Sequence, residues 1–162
     1  MGRVTDLAEA VVQRERWRAA GRRVVLTNGC FDLLHVGHVH YLEQARALGD
    51  ALIVGVNGDA SVRRLKGPGR PLVPAAERVA MVAALAAVDL ALLFEEDTAD
   101  GLLAALRPDV YAKGGDWGPG GKQLPEADTA HTVGAAIHYI DYQEGHSTSR
   151  LLQRILELMK GA

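Results

Sequence analysis

Two histidines three residues apart, His35 and His38, close the string Thr27-Asn28-Gly29-Cys30-Phe31-Asp32-Leu33-Leu34-His35-Val36-Gly37-His38. At the start of a helix this spacing puts both imidazoles on one face, about 4.5 Å apart along the axis. Gly37 between them leaves the backbone open to close approach by a ligand. A helix N-terminus adds unpaired N–H groups and partial positive charge, which suit a phosphate. Two imidazoles beside such an end can donate hydrogen bonds to phosphoryl oxygens. The bland alternative is that one histidine caps the helix while the other packs.

Three further clusters carry compatible chemistry. Asn57-Gly58-Asp59 precedes Lys66 and Arg70, two cations four apart around Gly67, Pro68 and Gly69. They can clamp triphosphate oxygens from a mobile lid, or simply form a solvated loop. In Lys113-Gly114-Gly115-Asp116-Trp117 the glycines permit backbone contact with a base or sugar, Asp116 can accept hydrogen bonds, and Trp117 can stack. A glycine-rich turn with one anchoring aromatic fits the same residues. Gly145-His146-Ser147-Thr148-Ser149-Arg150 places hydroxyls at a helix start, where they cap exposed N–H groups. With a phosphate present, the same groups become a second anion cradle. Gly121-Lys122 is a decoy: Gln123 replaces the Ser or Thr of a P-loop, and the leading glycine position falls on Asp116. His40, His131 and His138 read as isolated, without metal-ligand spacing. Cys30 reads as a small buried hydrophobe, and Trp17 as the anchor of an N-terminal helix.

The elements that must position these clusters alternate. An opening helix spans Thr5 to Ala20, with Asp6 and Glu9 spaced like a capping box and Gly21 as its stop. Strands are expected at Arg23–Thr27, Ala51–Val56, Leu90–Phe94, Asp109–Lys113 and Ala136–Asp141. Helices are expected at His38–Leu48, Ala60–Leu65, from Pro74 to about Val88, and at Thr98–Leu106. A closing helix, Ser149–Met159, has Leu151, Leu152, Ile155, Leu156 and Met159 as its inner face. Gly114 to Gly121 is irregular. Such alternation implies an α/β, Rossmann-like, doubly wound five-stranded parallel sheet with helices on both faces. Ligands of such sheets bind beyond the carboxyl ends of the strands, where strand order reverses. The expected organisation is one domain over residues 1–162, with an N-terminal helix (1–21) and a core (22–160).

Composition narrows the function. Eighteen basic against 20 acidic residues give a net charge of −2, which speaks against non-specific nucleic-acid binding. With a single cysteine there is no intrachain disulfide framework and no multi-cysteine zinc ribbon. The longest apolar stretch, Val79 to Phe94, is broken by Asp89 and falls short of a membrane span. Asp6, Glu9, Arg14, Glu15 and Arg16 are unlike a signal peptide. The expectation is a soluble, cytoplasmic domain.

The histidine string resembles the HxGH signature of the nucleotidyltransferase superfamily. That superfamily includes cytidylyltransferases, pantetheine-phosphate adenylyltransferase and the sugar-phosphate adenylyltransferases. The longer run TNGCFDLLHVGHVHYLEQARALGDALIVGVNGDASVRRLKGPGRPLVP resembles the adenylyltransferase domain of bacterial heptose-phosphate kinase/adenylyltransferases. The similarity continues through FEEDT, KGGDW and EGHSTSRLLQRI, covering nearly all of Arg22 to Leu158. It extends to the adenylyltransferase half of the bifunctional form, not to the kinase half.

This resemblance implies roles residue by residue. His35 and His38 meet the α- and β-phosphates, with Asn28, Gly29, Cys30, Phe31 and Gly37 around the nucleotide. Lys66, Ser147 and Thr148, with Ser149, hold the β- and γ-phosphates; Arg70 and Arg150 stand nearby. Gly114, Gly115 and Asp116 contact the nucleotide. Asp59, Arg70, Arg78 and Trp117 face the acceptor, although Arg78 reads equally as a surface helix arginine. Ser149 departs from the family's third threonine. Tyr142 stands where glycerol-phosphate cytidylyltransferases carry arginine. The loop 118–132, with Pro119 and Pro125, is expected to border the acceptor pocket.

The implied reaction is adenylyl transfer from ATP, with Mg²⁺, to a sugar 1-phosphate such as D-glycero-D-manno-heptose 1-phosphate. A separate sugar kinase and self-association into a homo-oligomer are the implied partners. Two alternatives stand beside it. One is a cytidylyl- or adenylyltransferase acting on glycerol 3-phosphate or riboflavin phosphate. The other is a non-catalytic nucleotide-binding module.

Overall fold

The computed structural model describes residues 2–115, 117–118, 120–141 and 147–160. Its strands are β1 (Arg3–Val4), β2 (Val24–Gly29), β3 (Ala51–Asn57), β4 (Leu90–Phe94), β5 (Val110–Gly114) and β6 (Ala136–Ile140). Its helices are α1 (Leu7–Ala19), α2 (Val36–Arg46), α3 (Asp59–Lys66), α4 (Ala75–Ala83), α5 (Asp100–Leu106), α6 (Ala127–Val133) and α7 (Thr148–Lys160). The strands form one sheet in the order β1-β4-β3-β2-β5-β6, and every pairing is parallel.

Period-two alternation decides what each face of the sheet meets. Val24 and Leu26 of β2 join a core with Ala10 and Trp17 of α1 and Leu102, Leu103 and Leu106 of α5. Val25, between them, turns to the opposite core, with Leu42 and Ala45 of α2 and Val79 and Val82 of α4. Strands covered on both faces read as unbroken apolar runs, as β3 does: all seven of its residues are buried. The start of α1 follows its capping signal. The Asp6 carboxylate accepts from the Glu9 N–H at 2.8 Å, and the Thr5 hydroxyl donates to the Glu9 carboxylate at 2.9 Å.

Four expectations need correction. The sheet has six strands rather than five, because the chain before α1 adds β1 to the β4 edge. Two exposed residues carry no periodic signal, so nothing local announces this strand. The loop 118–132 contains α6, whose Ala130 is buried against α5 and whose end is set by Gly134 in the left-handed region. Helix α2 starts at Val36, which makes His35 its N-cap residue in extended backbone.

The fourth correction concerns α7. Leu151, Ile155, Leu156 and Met159 are exposed rather than inward, and no residue of α7 is buried. Helices α1, α5 and α6 already cover one sheet face and α2 and α4 the other, which leaves α7 no core to enter.

Strand order reverses between β2 and β5. From β2 the chain winds outward through β3 and β4; it then returns to β5 and continues to β6. The carboxyl ends of β2 and β5, Asn28-Gly29 and Lys113-Gly114, therefore flank the crevice where a ligand is expected. Among the described residues no helix is long and apolar enough to cross a membrane.

Candidate active site

A cleft of about 200 Å³ opens at this reversal point. Asn28, Gly29 and Phe31 from the loop after β2, and His35, Gly37 and His38 at the start of α2, make one wall. Lys66, the last residue of α3, stands over it. Lys113, Gly114 and Trp117 after β5, and Asp141 after β6, close the other side. Three clusters far apart in sequence thus share one cavity.

The imidazoles of His35 and His38 stack, with ring centres 3.9 Å apart and planes at 24°. Phe31 backs His38 at 5.3 Å. Its backbone lies in the left-handed region at φ 47°, which turns the chain out of β2. A side chain on Gly29 would come within 3.0 Å of the Phe31 ring, which would have to give by a few tenths of an ångström. Burial, and then the neighbouring His35, push His38 down to about 4. His38 is therefore neutral at pH 7, with one N–H to donate. Its Nδ1 is buried without a hydrogen-bond partner among the described residues.

This shift couples stability to pH. Between the ordinary value of 6.5 and about 4, the unfolded chain takes up a proton that the folded chain refuses. The His38 contribution is fully present above pH 6.5 and is lost as pH falls toward 4. Urea unfolding at pH 7 and pH 5 is expected to show a larger drop for the wild type than for His38→Asn. Equal drops would reject the depressed imidazole.

The lid segment is tied down by the signature loop. Asp32 has a side chain only 1% exposed; it pairs with Arg70 and accepts from the N–H groups of Leu72 at 2.8 Å and Val73 at 2.9 Å. Arg70 is thereby held as a latch outside the cleft wall. Arg78 is no surface arginine: it is 0% exposed. Its Nε donates to the Val73 carbonyl, Nη1 to the Cys30 carbonyl and Nη2 to Asp59 at 2.8 Å. Asp59, Arg70 and Arg78 thus brace the loops around the cleft and do not line it.

Other expected residues divide. Gly114 and Trp117 line the cleft, whereas Gly115 is pressed against β6, where a Cβ would sit 3.2 Å from the Ile140 carbonyl oxygen. Cys30 is half-buried rather than buried, and burial raises its thiol above the ordinary range. Ser147 accepts from the Arg150 N–H at 3.1 Å and caps α7. Thr148 reaches the Leu33 carbonyl at 3.5 Å, which sets the start of α7 beside the signature loop. Ser147, Thr148 and Ser149 stand outside the cleft wall. Asp116, Pro119, Tyr142, Gly145 and His146 lie outside the described residues.

Sequence reasoning missed five cleft residues, Asp141 after β6 among them. His40, read as isolated, lines the cavity, as do Tyr41 and Gln44. Tyr41 follows His38 by three residues, a helical spacing that could have flagged it. Its hydroxyl meets Thr27 Oγ1 at 2.7 Å and the Ala112 carbonyl at 3.1 Å, bridging β2 and β5. Lys113 was visible in its motif but had no role. It borders the cavity, and its largely covered ammonium donates to Asn28 Oδ1 at 3.0 Å.

Comparison with known proteins agrees with this geometry. Residues 26–153 match the model of a family described as cytidylyltransferase-like. The chain is 47% identical over 155 residues to a bifunctional protein HldE of Syntrophotalea carbinolica, covering 96% of this chain and 31% of that protein. It is 54% identical over 138 residues to the HldE of Methylococcus capsulatus, covering 85% of this chain and 29% of that protein. The chain thus spans about a third of the length of these curated relatives. A crystal structure of the lipopolysaccharide core biosynthesis protein from Thermoplasma volcanium superposes with a TM-score of 0.62 at 28% identity, covering 78% of this chain and all of that one.

Proposed function

Because the chain belongs to the cytidylyltransferase-like family and is by that membership a nucleotidyltransferase, we propose that it moves an adenylyl group from ATP to a sugar 1-phosphate. The acceptor in this reading is D-glycero-D-manno-heptose 1-phosphate, the products an ADP-sugar and pyrophosphate. The observation that carries it is the stacked His35–His38 pair at the N-terminal end of α2, facing a cleft that Lys66 overhangs.

An oxygen of the acceptor phosphate attacks the α-phosphorus in line, and the bond to the pyrophosphate oxygen breaks. The nucleophile is already an anion near neutral pH, so no covalent intermediate and little base catalysis are required. The protein must orient two anions and stabilise charge at the α-phosphorus. The neutral His38 imidazole, with His35 beside it, and the α2 dipole meet the α- and β-phosphates, while Lys66 and the start of α7 hold the distal phosphates. Mg²⁺ enters as the partner of the triphosphate. When bound it would neutralise charge on the phosphates, and among the described lining residues Asp141 is the carboxylate that could help hold it. A kinase supplying the sugar 1-phosphate is the partner this chemistry requires, in keeping with relatives named bifunctional. The same reading places the chain in the cytoplasm.

The test is pyrophosphate release with ATP and CTP against heptose 1-phosphate, glycerol 3-phosphate and riboflavin phosphate. Turnover with ATP and a sugar 1-phosphate is expected. ATP binding with no turnover across the panel would leave a nucleotide-binding module instead. In the same assay Lys66→Ala is expected to weaken ATP binding about tenfold or more with the fold intact, the loss of one charge-assisted contact. Unchanged ATP affinity by calorimetry would remove the clamp.

A further inference from the structure

Behind the cleft lie two ionisable groups that the transfer reaction leaves unused. Lys113, at the end of β5, is 6% exposed, and Glu126, just before α6, is 3% exposed. The Lys113 ammonium stands 5.3 Å from the ring centre of Trp117 and 5.5 Å from that of Tyr111. It shares Asn28 Oδ1 with the Tyr111 hydroxyl, at 3.0 and 2.7 Å. Glu126 Oε1 lies 4.0 Å from that ammonium and accepts the Ala99 N–H at 3.0 Å. Its Oε2 is buried with no hydrogen-bond partner among the described residues. The same carboxylate also acts on Tyr111: burial, and then the Glu126 charge, raise that hydroxyl above its ordinary range.

We propose that Glu126 is a positioning residue for the nucleotide site: its carboxylate holds the Lys113 ammonium between Asn28 and Trp117 and so fixes two walls of the cleft. A covered ammonium is stable only beside compensating charge. Lysine is a flexible stem with a point charge, and it holds one position only when its surroundings dictate it. Without the carboxylate, the ammonium swings toward the open cleft. Trp117 then loses the nearer of its two cation–π partners, keeping Lys122 at 6.0 Å, and Asn28 loses its charged donor. Glu126 touches no ligand in this scheme; it acts through Lys113.

The inference rests on the reading that the cleft takes a nucleotide, and the experiment separates the two. ATP affinity by calorimetry and Trp117 emission, in a Trp17→Phe background, are measured for Glu126→Gln, Lys113→Met and their combination. Glutamine keeps an acceptor for Ala99, so a purely structural role is preserved. Glu126→Gln is expected to weaken ATP binding about tenfold and to shift Trp117 emission. Neither change is expected once Lys113 is methionine, and Glu126→Asp should restore part of both. Losses that add in the double variant, or emission that does not move, overturn the proposal. If the parent protein binds no ATP, the nucleotide reading fails and Trp117 emission alone decides the coupling. Should Glu126→Gln fail to fold, Lys113→Gln reads the pair from the other side, and unmoved emission again overturns it.

Discussion

Replacing His38 with alanine is expected to lower kcat by about two to three orders of magnitude while KM for ATP changes little. The ring sits at the end of a helix, stacked at 3.9 Å on His35 and backed by Phe31, so its direction is set before any ligand arrives. Pre-set donors help most where charge develops, because no reorganisation is needed at the moment of reaction. Burial keeps His38 neutral in the free protein, down at about 4, and so it offers a hydrogen bond without the strong ground-state attraction of a full charge. Binding and turnover should therefore separate. An interaction made mainly in the transition state lowers kcat and kcat/KM together. His38→Gln, which retains an amide donor, should recover part of the loss. Near-normal turnover by the alanine variant would remove His38 from the reaction, whereas a loss confined to KM would make it a binding residue only.

What was legible in the chain follows from which signals are local. β3 and β4 could be read because buried parallel strands are unbroken apolar runs, and α1 because Asp6 and Glu9 mark its start. The histidine pair was legible because helical spacing places two rings on one face. β1 was not, since two residues acquire strand geometry only from the β4 edge they join. The role of α7 was misread for a related reason. Amphipathic spacing shows that a helix has an apolar face but not whether a core remains for it to cover. Around the site, Glu126 was hidden, and Arg78 was named for the acceptor or the surface but not for the brace it forms. Each owes its position to partners 48 and 27 positions away, the Cys30 carbonyl and the Ala99 amide, which no window along the chain contains.

Arg78 carries the largest expected effect on stability, and the direction of that effect decides between two roles. Its guanidinium is completely buried and joins three segments: the lid at Val73, the signature loop at Cys30 and the start of α3 at Asp59. An acceptor phosphate would have to displace one of these partners to reach it. Removing one member of a buried ion pair costs about 3–5 kcal/mol, because the other is left uncompensated. The Asp59 side chain is 37% exposed and keeps part of its hydration, which puts Arg78→Met toward the lower end, about 3 kcal/mol. Arg78→Lys should fall almost as far, since one ammonium cannot serve three acceptors arranged for a planar fork. Asp59→Asn should cost less than either, because the other two carbonyl partners remain. Urea unfolding checks the series, with kcat and KM for both substrates measured alongside. A strut predicts lost stability and activity reduced alike toward ATP and the acceptor. An unchanged urea midpoint, with KM raised for the sugar phosphate alone, would instead make Arg78 the ligand of the acceptor phosphate.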